Sequence, residues 1–139
     1  MNEKKNLTIE KAFETAIQNH QKNNFEVAEN LYKEILKKIP DHFQSNFLLG
    51  TLSAQTKKFD IAKQLLNKAT EIDPNYVAAH NNLGLVFKEL GEYQKAKSCY
   101  EKAIQINPND ANAYNNLGVV YNELGEFQIL VFLNHLDER

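Results

Sequence analysis

NYVAAHNNLGLVFKELGEYQKAKSCYEKAIQINP, Asn75–Pro108, decides how this chain folds. In its first half His80, Leu83, Gly84 and Phe87 fall at i, i+3, i+4 and i+7, one stripe of a 3.6-residue helix. In its second half Tyr93, Ala96, Tyr100, Ala103 and Ile104 make another stripe. Leu90-Gly91 separates the two. A glycine reaches positive φ without steric cost, so Gly91 can close the first helix. Pro108 prevents the second from continuing. The stretch therefore predicts two amphipathic helices joined by a tight turn. Neither can bury its apolar face alone, so the pair needs neighbours.

The rest of the chain supplies them in register. Gly50, Gly84 and Gly118 stand 34 residues apart (84 − 50 and 118 − 84). The same step relates Leu49, Leu83 and Leu117; Ala28, Ala62 and Ala96; Pro40, Pro74 and Pro108; and Phe25, Phe59, Tyr93 and Phe127. Five residue classes repeating in one register make the period a property of the whole chain. The pattern resembles the tetratricopeptide repeat (TPR) family, in which an aromatic, Leu-Gly, an aromatic, Ala, an aromatic, Ala and Pro recur in that order. Here those places are His80, Leu83-Gly84, Phe87, Ala96, Tyr100, Ala103 and Pro108. The resemblance implies an all-α, right-handed solenoid of antiparallel helix pairs, with about three full repeats and a degenerate fourth. A polar N-terminus, 1–8, is followed by repeats at 9–41, 42–75, 76–109 and 110–139, with Asn6 or Thr8 capping the first helix. In the first repeat Asn23 replaces the turn glycine and Thr15-Ala16 the Leu-Gly pair; in the second, Lys57-Lys58 stands at the turn. Asp41, Asn75 and Asn109, each after a proline, mark helix starts. The fourth repeat keeps Tyr114, Leu117-Gly118, Tyr121 and Gly125, then loses the pattern: Leu130 stands where Ala is due, within the apolar run Ile129–Leu133. That run either covers the open end of the array or forms a sticky end for self-association.

Composition excludes several functions. Net charge is −2, and of 16 basic residues only Arg139 is arginine, so neither nucleic acid nor an anionic membrane is an expected partner. One Cys forbids an internal disulfide, residues 1–30 hold no apolar leader, and no 18-residue apolar run exists; a cytoplasmic location is expected. His20, His42, His80 and His135 show no metal-ligand spacing, and Cys99 has no base in prospect. We expect no catalytic residue, cofactor or metal.

The informative surface is the other face of the first helices. At 100° per residue, Ala78, Asn81, Asn82, Leu85 and Glu89 point away from the packed stripe, and so do Asn112, Asn115, Asn116, Val119 and Glu123 one period on. In stacked repeats this face lines the concave wall. A side-chain amide both donates and accepts, which suits the backbone of a peptide of any sequence. The Asn-Asn-Leu-Gly spelling is similar to repeats of the O-linked N-acetylglucosamine transferase family, where an asparagine ladder grips substrate polypeptide; by that resemblance Asn82 and Asn116 are rungs. Glu14 and Leu48 hold the equivalent places in the first two repeats, where Phe13, Ile17, Phe47 and Leu48 make a more apolar wall. A second family use, clamping acidic chaperone tails, calls for cations where this chain has Glu10, Phe13, Gln44, Phe47, Ala78 and Asn112. The expected function is a protein-interaction scaffold holding an extended peptide or partner helix. The alternatives are the N-terminal array of a fused glycosyltransferase and an assembly module closed through the apolar tail.

Overall fold

The computed structural model describes residues 2–125, with side chains from Thr8 onward. Seven helices follow one another: α1 (Asn2–Gln21), α2 (Phe25–Lys38), α3 (Phe43–Gln55), α4 (Phe59–Ile72), α5 (Val77–Glu89), α6 (Tyr93–Ile106) and α7 (Ala111–Leu124). No strand occurs among the described residues. The helix expected to start at Asn6 or Thr8 begins at Asn2, since nothing from Asn2 to Leu7 is Gly or Pro. The apolar run Ile129–Leu133, Phe127 and His135 lie outside the described residues.

The three hairpins turn by one device. After α1, α3 and α5 the chain passes through a left-handed residue, Asn23 (φ 63°), Lys57 (φ 62°) or Gly91 (φ 75°). The next amide reaches back to close the turn: Asn24 N to Asn19 O (2.8 Å), Lys58 N to Ser53 O (2.7 Å) and Glu92 N to Phe87 O (2.8 Å). These are Schellman closures, which satisfy carbonyls orphaned at the helix end. Gly125 takes the same conformation after α7 (φ 67°). The second helices end by a different rule. Ile39, Asp73 and Asn107 are extended (φ −132°, −127° and −128°), each immediately before a proline. Proline Cδ clashes with a helical preceding residue, so the helix stops there.

The helix starts differ from expectation by one residue. The N-caps of α3, α5 and α7 are His42, Tyr76 and Asp110, not Asp41, Asn75 and Asn109. His42 Nδ1 accepts from Ser45 N at 3.2 Å and Asp110 Oδ1 from Ala113 N at 3.3 Å. The post-proline residues instead belong to the turn, because proline and its successor complete the bend before helical dihedrals resume.

The described chain divides into two compact units, split after Pro74. In the first, α1 packs on α2, α2 on α3 and α3 on α4. Its core gathers Ala16, Ala28, Tyr32, Leu49 and Leu52, with Phe13, Phe25, Leu31, Leu36, Leu48 and Leu65 packed around them. In the second, α6 packs on both α5 and α7, which also touch each other. Leu83, Val86, Phe87, Ala96, Tyr100, Ala103, Ala113, Leu117 and Val120 are buried, and so is His80. Small residues set the closeness of the pairs. A Cβ on Gly84 would lie 2.7 Å from Tyr100 Cε1, and one on Gly50 2.8 Å from Leu66 Cγ. Both distances are below van der Waals contact, so only glycine admits the facing side chain.

Candidate functional site

The stripe on α5 and α7 opposite their buried faces is the candidate site. Leu83, Gly84 and Phe87 anchor α5 inward and Leu117 and Val120 anchor α7. The helical repeat then turns Asn82, Leu85 and Glu89, and Asn116, Val119 and Glu123, outward. Leu85 is 39% exposed and Val119 46%, high values for apolar side chains on well-packed helices. Asn112, Asn115, Glu89 and Glu123 are exposed, while Ala78, Asn82 and Asn116 are half-buried. Equivalent residues one period apart thus sit on two touching helices, amide by amide and apolar by apolar.

Asn81 does something else. Its Nδ2 donates to Asp110 Oδ2 at 2.6 Å, and Asp110 in turn caps α7. The first asparagine of the doublet therefore ties α5 to the start of α7, and its amide nitrogen is spent within the fold. Its Oδ1 is buried with no partner among the described residues. Nothing in helical periodicity reveals this bond; the only hint is that two adjacent asparagines lie 100° apart and cannot face the same way.

In the first unit the equivalent face is built differently. Leu48 is half-buried against that unit's core. Phe13 meets the ring of His42 edge-on at 5.2 Å and that of Tyr32 at 6.3 Å. Phe43 and Phe47 stack at 6.2 Å with planes 6° apart. The apolar wall expected from Phe13, Ile17, Phe47 and Leu48 is thus partly turned into the packing, because rings find partners there that an open face cannot offer. Asn46, where His80 stands one period later, is buried and donates to the carbonyls of Pro40 and His42, both at 3.0 Å. Tyr114, which occupies that place in α7, is 46% exposed rather than packed like His80.

The titratable groups are structural. His20 bridges Tyr32 Oη (3.2 Å to Nδ1) and Gln55 Oε1 (2.9 Å to Nε2), joining α1, α2 and α3. Burial lowers the His42 pKa. Burial pushes the Cys99 thiol up to about 12, the opposite of what a nucleophile needs. Among the described residues no three His, Cys, Asp or Glu could hold a metal ion. No described helix is long and apolar enough to cross a membrane.

Models of the tetratricopeptide repeat match residues 77–110 and 99–129, and a TPR repeat model matches 53–91. The chain belongs to the tetratricopeptide repeat family. Its TPR fold, an all-α solenoid of helix pairs, recurs in solved structures. MamA is 29% identical over 80% of this chain and 65% of its own, with a TM-score of 0.78. The first TPR domain of Spaghetti (RPAP3), solved with the HSP90 peptide SRMEEVD, is 20% identical over 85% of this chain and 94% of its own, TM-score 0.81. The TPR region of a mutant O-GlcNAc transferase from Thermobaculum terrenum is 24% identical over 83% of this chain, TM-score 0.74, and this chain spans 22% of that protein. No curated protein matches the sequence. TPR repeats are protein-interaction modules, and the described residues show no active site.

Proposed function

We propose that this TPR chain holds an extended peptide across the outward stripe of α5 and α7, with Asn82 and Asn116 as paired backbone contacts. One observation carries the reading: the set of amide and exposed apolar residue is repeated one period apart on two touching helices. An amide meets a peptide N–H or C=O equally well, and Leu85 and Val119 offer apolar contact beside it. Asn112 and Asn115 extend the polar rim, and Ala78 leaves room at the start of α5. Asn81 serves by holding the two helices side by side through Asp110.

Ordering a flexible peptide costs free energy, so affinity is expected at about the micromolar level. The test is a peptide array followed by titration of the best binder against Asn82→Ala/Asn116→Ala. Binding should fall at least several-fold while the melting temperature stays put. Unchanged binding by that double variant removes the assignment.

A second reading is supported by the Asn-Asn-Leu-Gly spelling and by the likeness to the O-GlcNAc transferase TPR region. In it, the same stripe presents substrate polypeptide to a transferase domain. The intact mass of the protein isolated from its cells separates the two, since the second needs a much longer product.

A further inference from the structure

The stripe on α5 and α7 has a third rung. Along each helix, the amide is followed three residues later by the apolar side chain and seven later by a carboxylate: Asn82, Leu85, Glu89 and Asn116, Val119, Glu123. A rise of 1.5 Å per residue places these rungs about 4.5 and 10 Å from the amide. Both carboxylates are exposed, and neither has an ion pair or hydrogen bond among the described residues. Each sits in the last turn of its helix, where the dipole disfavours negative charge. The only cation on either helix is Lys88, about 100° round from Glu89. Two exposed acids therefore stand at unfavourable helix ends, one period apart, beyond two exposed aliphatic residues.

Resting on the proposed peptide groove, we propose that its ligand is a basic peptide with Lys or Arg at every third position. The peptide backbone crosses the asparagines, each aliphatic stem lies over Leu85 or Val119, and each cationic head reaches Glu89 or Glu123. Long basic side chains behave this way, covering apolar surface with the stem while the head stays in polar surroundings. The spacing follows from the helices. Packed helices lie about 8–10 Å apart. A polyproline II chain advances about 3.1 Å per residue and returns to the same face every third one, so like positions recur about every 9 Å. The acidic sequence SRMEEVD, bound by the RPAP3 domain, has the charge this stripe repels.

Fluorescence anisotropy with the full chain and a labelled (Ala-Pro-Lys)3 peptide tests this. Its Nε-acetylated form, (Ala-Pro-Glu)3 and SRMEEVD serve as controls. The lysine peptide should bind, weakening as salt rises, and the acetylated form should bind about tenfold more weakly. Glu89→Gln/Glu123→Gln should lose about the same factor for the lysine peptide with its melting temperature unchanged or slightly raised. Failure of the lysine peptide to bind, equal binding of the acetylated form, or a Gln variant that binds the lysine peptide as the native chain does, overturns the basic-ligand assignment. The groove itself is judged separately: Asn82→Ala/Asn116→Ala should weaken whichever array-selected peptide binds best, charged or not.

Discussion

The two units of the chain use one hairpin plan with different side chains at the same places. At the turn the first unit forces Asn23 and Lys57 into the left-handed region, whereas the second uses Gly91. At the closest helix approach the first sets Gly50 against a leucine and the second sets Gly84 against the ring of Tyr100. At the second-helix aromatic, Tyr32 hydrogen-bonds His20, while Tyr100, one period from Leu66 and two from Tyr32, has a buried hydroxyl with no partner among the described residues. On the outward face, Glu14 and Leu48 precede what become Asn82 and Asn116. The backbone plan tolerates all these exchanges because it depends on small volume at the helix contact and on a single left-handed residue. The outward face carries no such constraint and is free to diverge.

That contrast can be broken by mutation. Gly84→Val and Ala96→Leu should each cost about 1–3 kcal/mol, since Gly84 faces the fully buried ring of Tyr100 and Ala96 is itself fully buried. Gly50→Val should fall in the same range, because Leu66 is as fully buried as Tyr100 and a Cβ there would lie 2.8 Å from its Cγ; chemical denaturation checks all three variants. Next, Tyr100→Phe should stabilise or leave stability unchanged, since it removes a buried hydroxyl that no described residue pairs, whereas Tyr32→Phe should lose about 0.5–1.5 kcal/mol. Equal losses at both tyrosines would erase the distinction. Burial raises both phenols, Tyr32 to about 12, so neither ionises in the working range and the comparison holds from neutral to mildly alkaline pH.

The turn gives a smaller effect. Lys57→Gly should raise stability by about 1 kcal/mol by relieving the left-handed strain, and Gly91→Lys should lower it by a similar amount. The smallest effect is electrostatic. Glu29 accepts from Lys33 (2.9 Å) and Lys58 (3.1 Å), and these hold its carboxyl below the usual 4.5 against a partial desolvation. A lowered folded-state pKa contributes stability above the unfolded value, and that contribution disappears as pH falls through the lowered one. Lys33 and Lys58 are themselves about half exposed, so solvent and salt screen the pairs, and Glu29→Gln should cost at most about 1 kcal/mol at neutral pH, less in high salt and nothing in strong acid.

Much of this was legible in the chain. The 34-residue step fixed the helix pairs, and Pro40, Pro74 and Pro108 fixed where the second helices stop. Asn23 was legible as a stand-in for glycine because asparagine tolerates positive φ; Lys57 took the same conformation with no such aptitude, carried by its repeat's register. The helix starts were misplaced by one residue, since Asp41, Asn75 and Asn109 are capping residue types whose sequence position does not show where helical dihedrals begin. Of the candidate groove residues, the outward direction of Asn82, Leu85, Asn116 and Val119 followed from 100° per residue alone.

What the sequence by itself determined is therefore everything that is periodic: which faces are apolar, where small residues let helices meet, and which side chains are left outside. Tertiary structure decided the pairings between residues at unrelated offsets. Asn81 with Asp110, His20 with Tyr32 and Gln55, and Phe13 with His42 each join side chains that no repeat aligns. The physical reason is that a helix's own geometry fixes the direction of a side chain. Its hydrogen-bond or ring partner depends on how the next helix is laid against it.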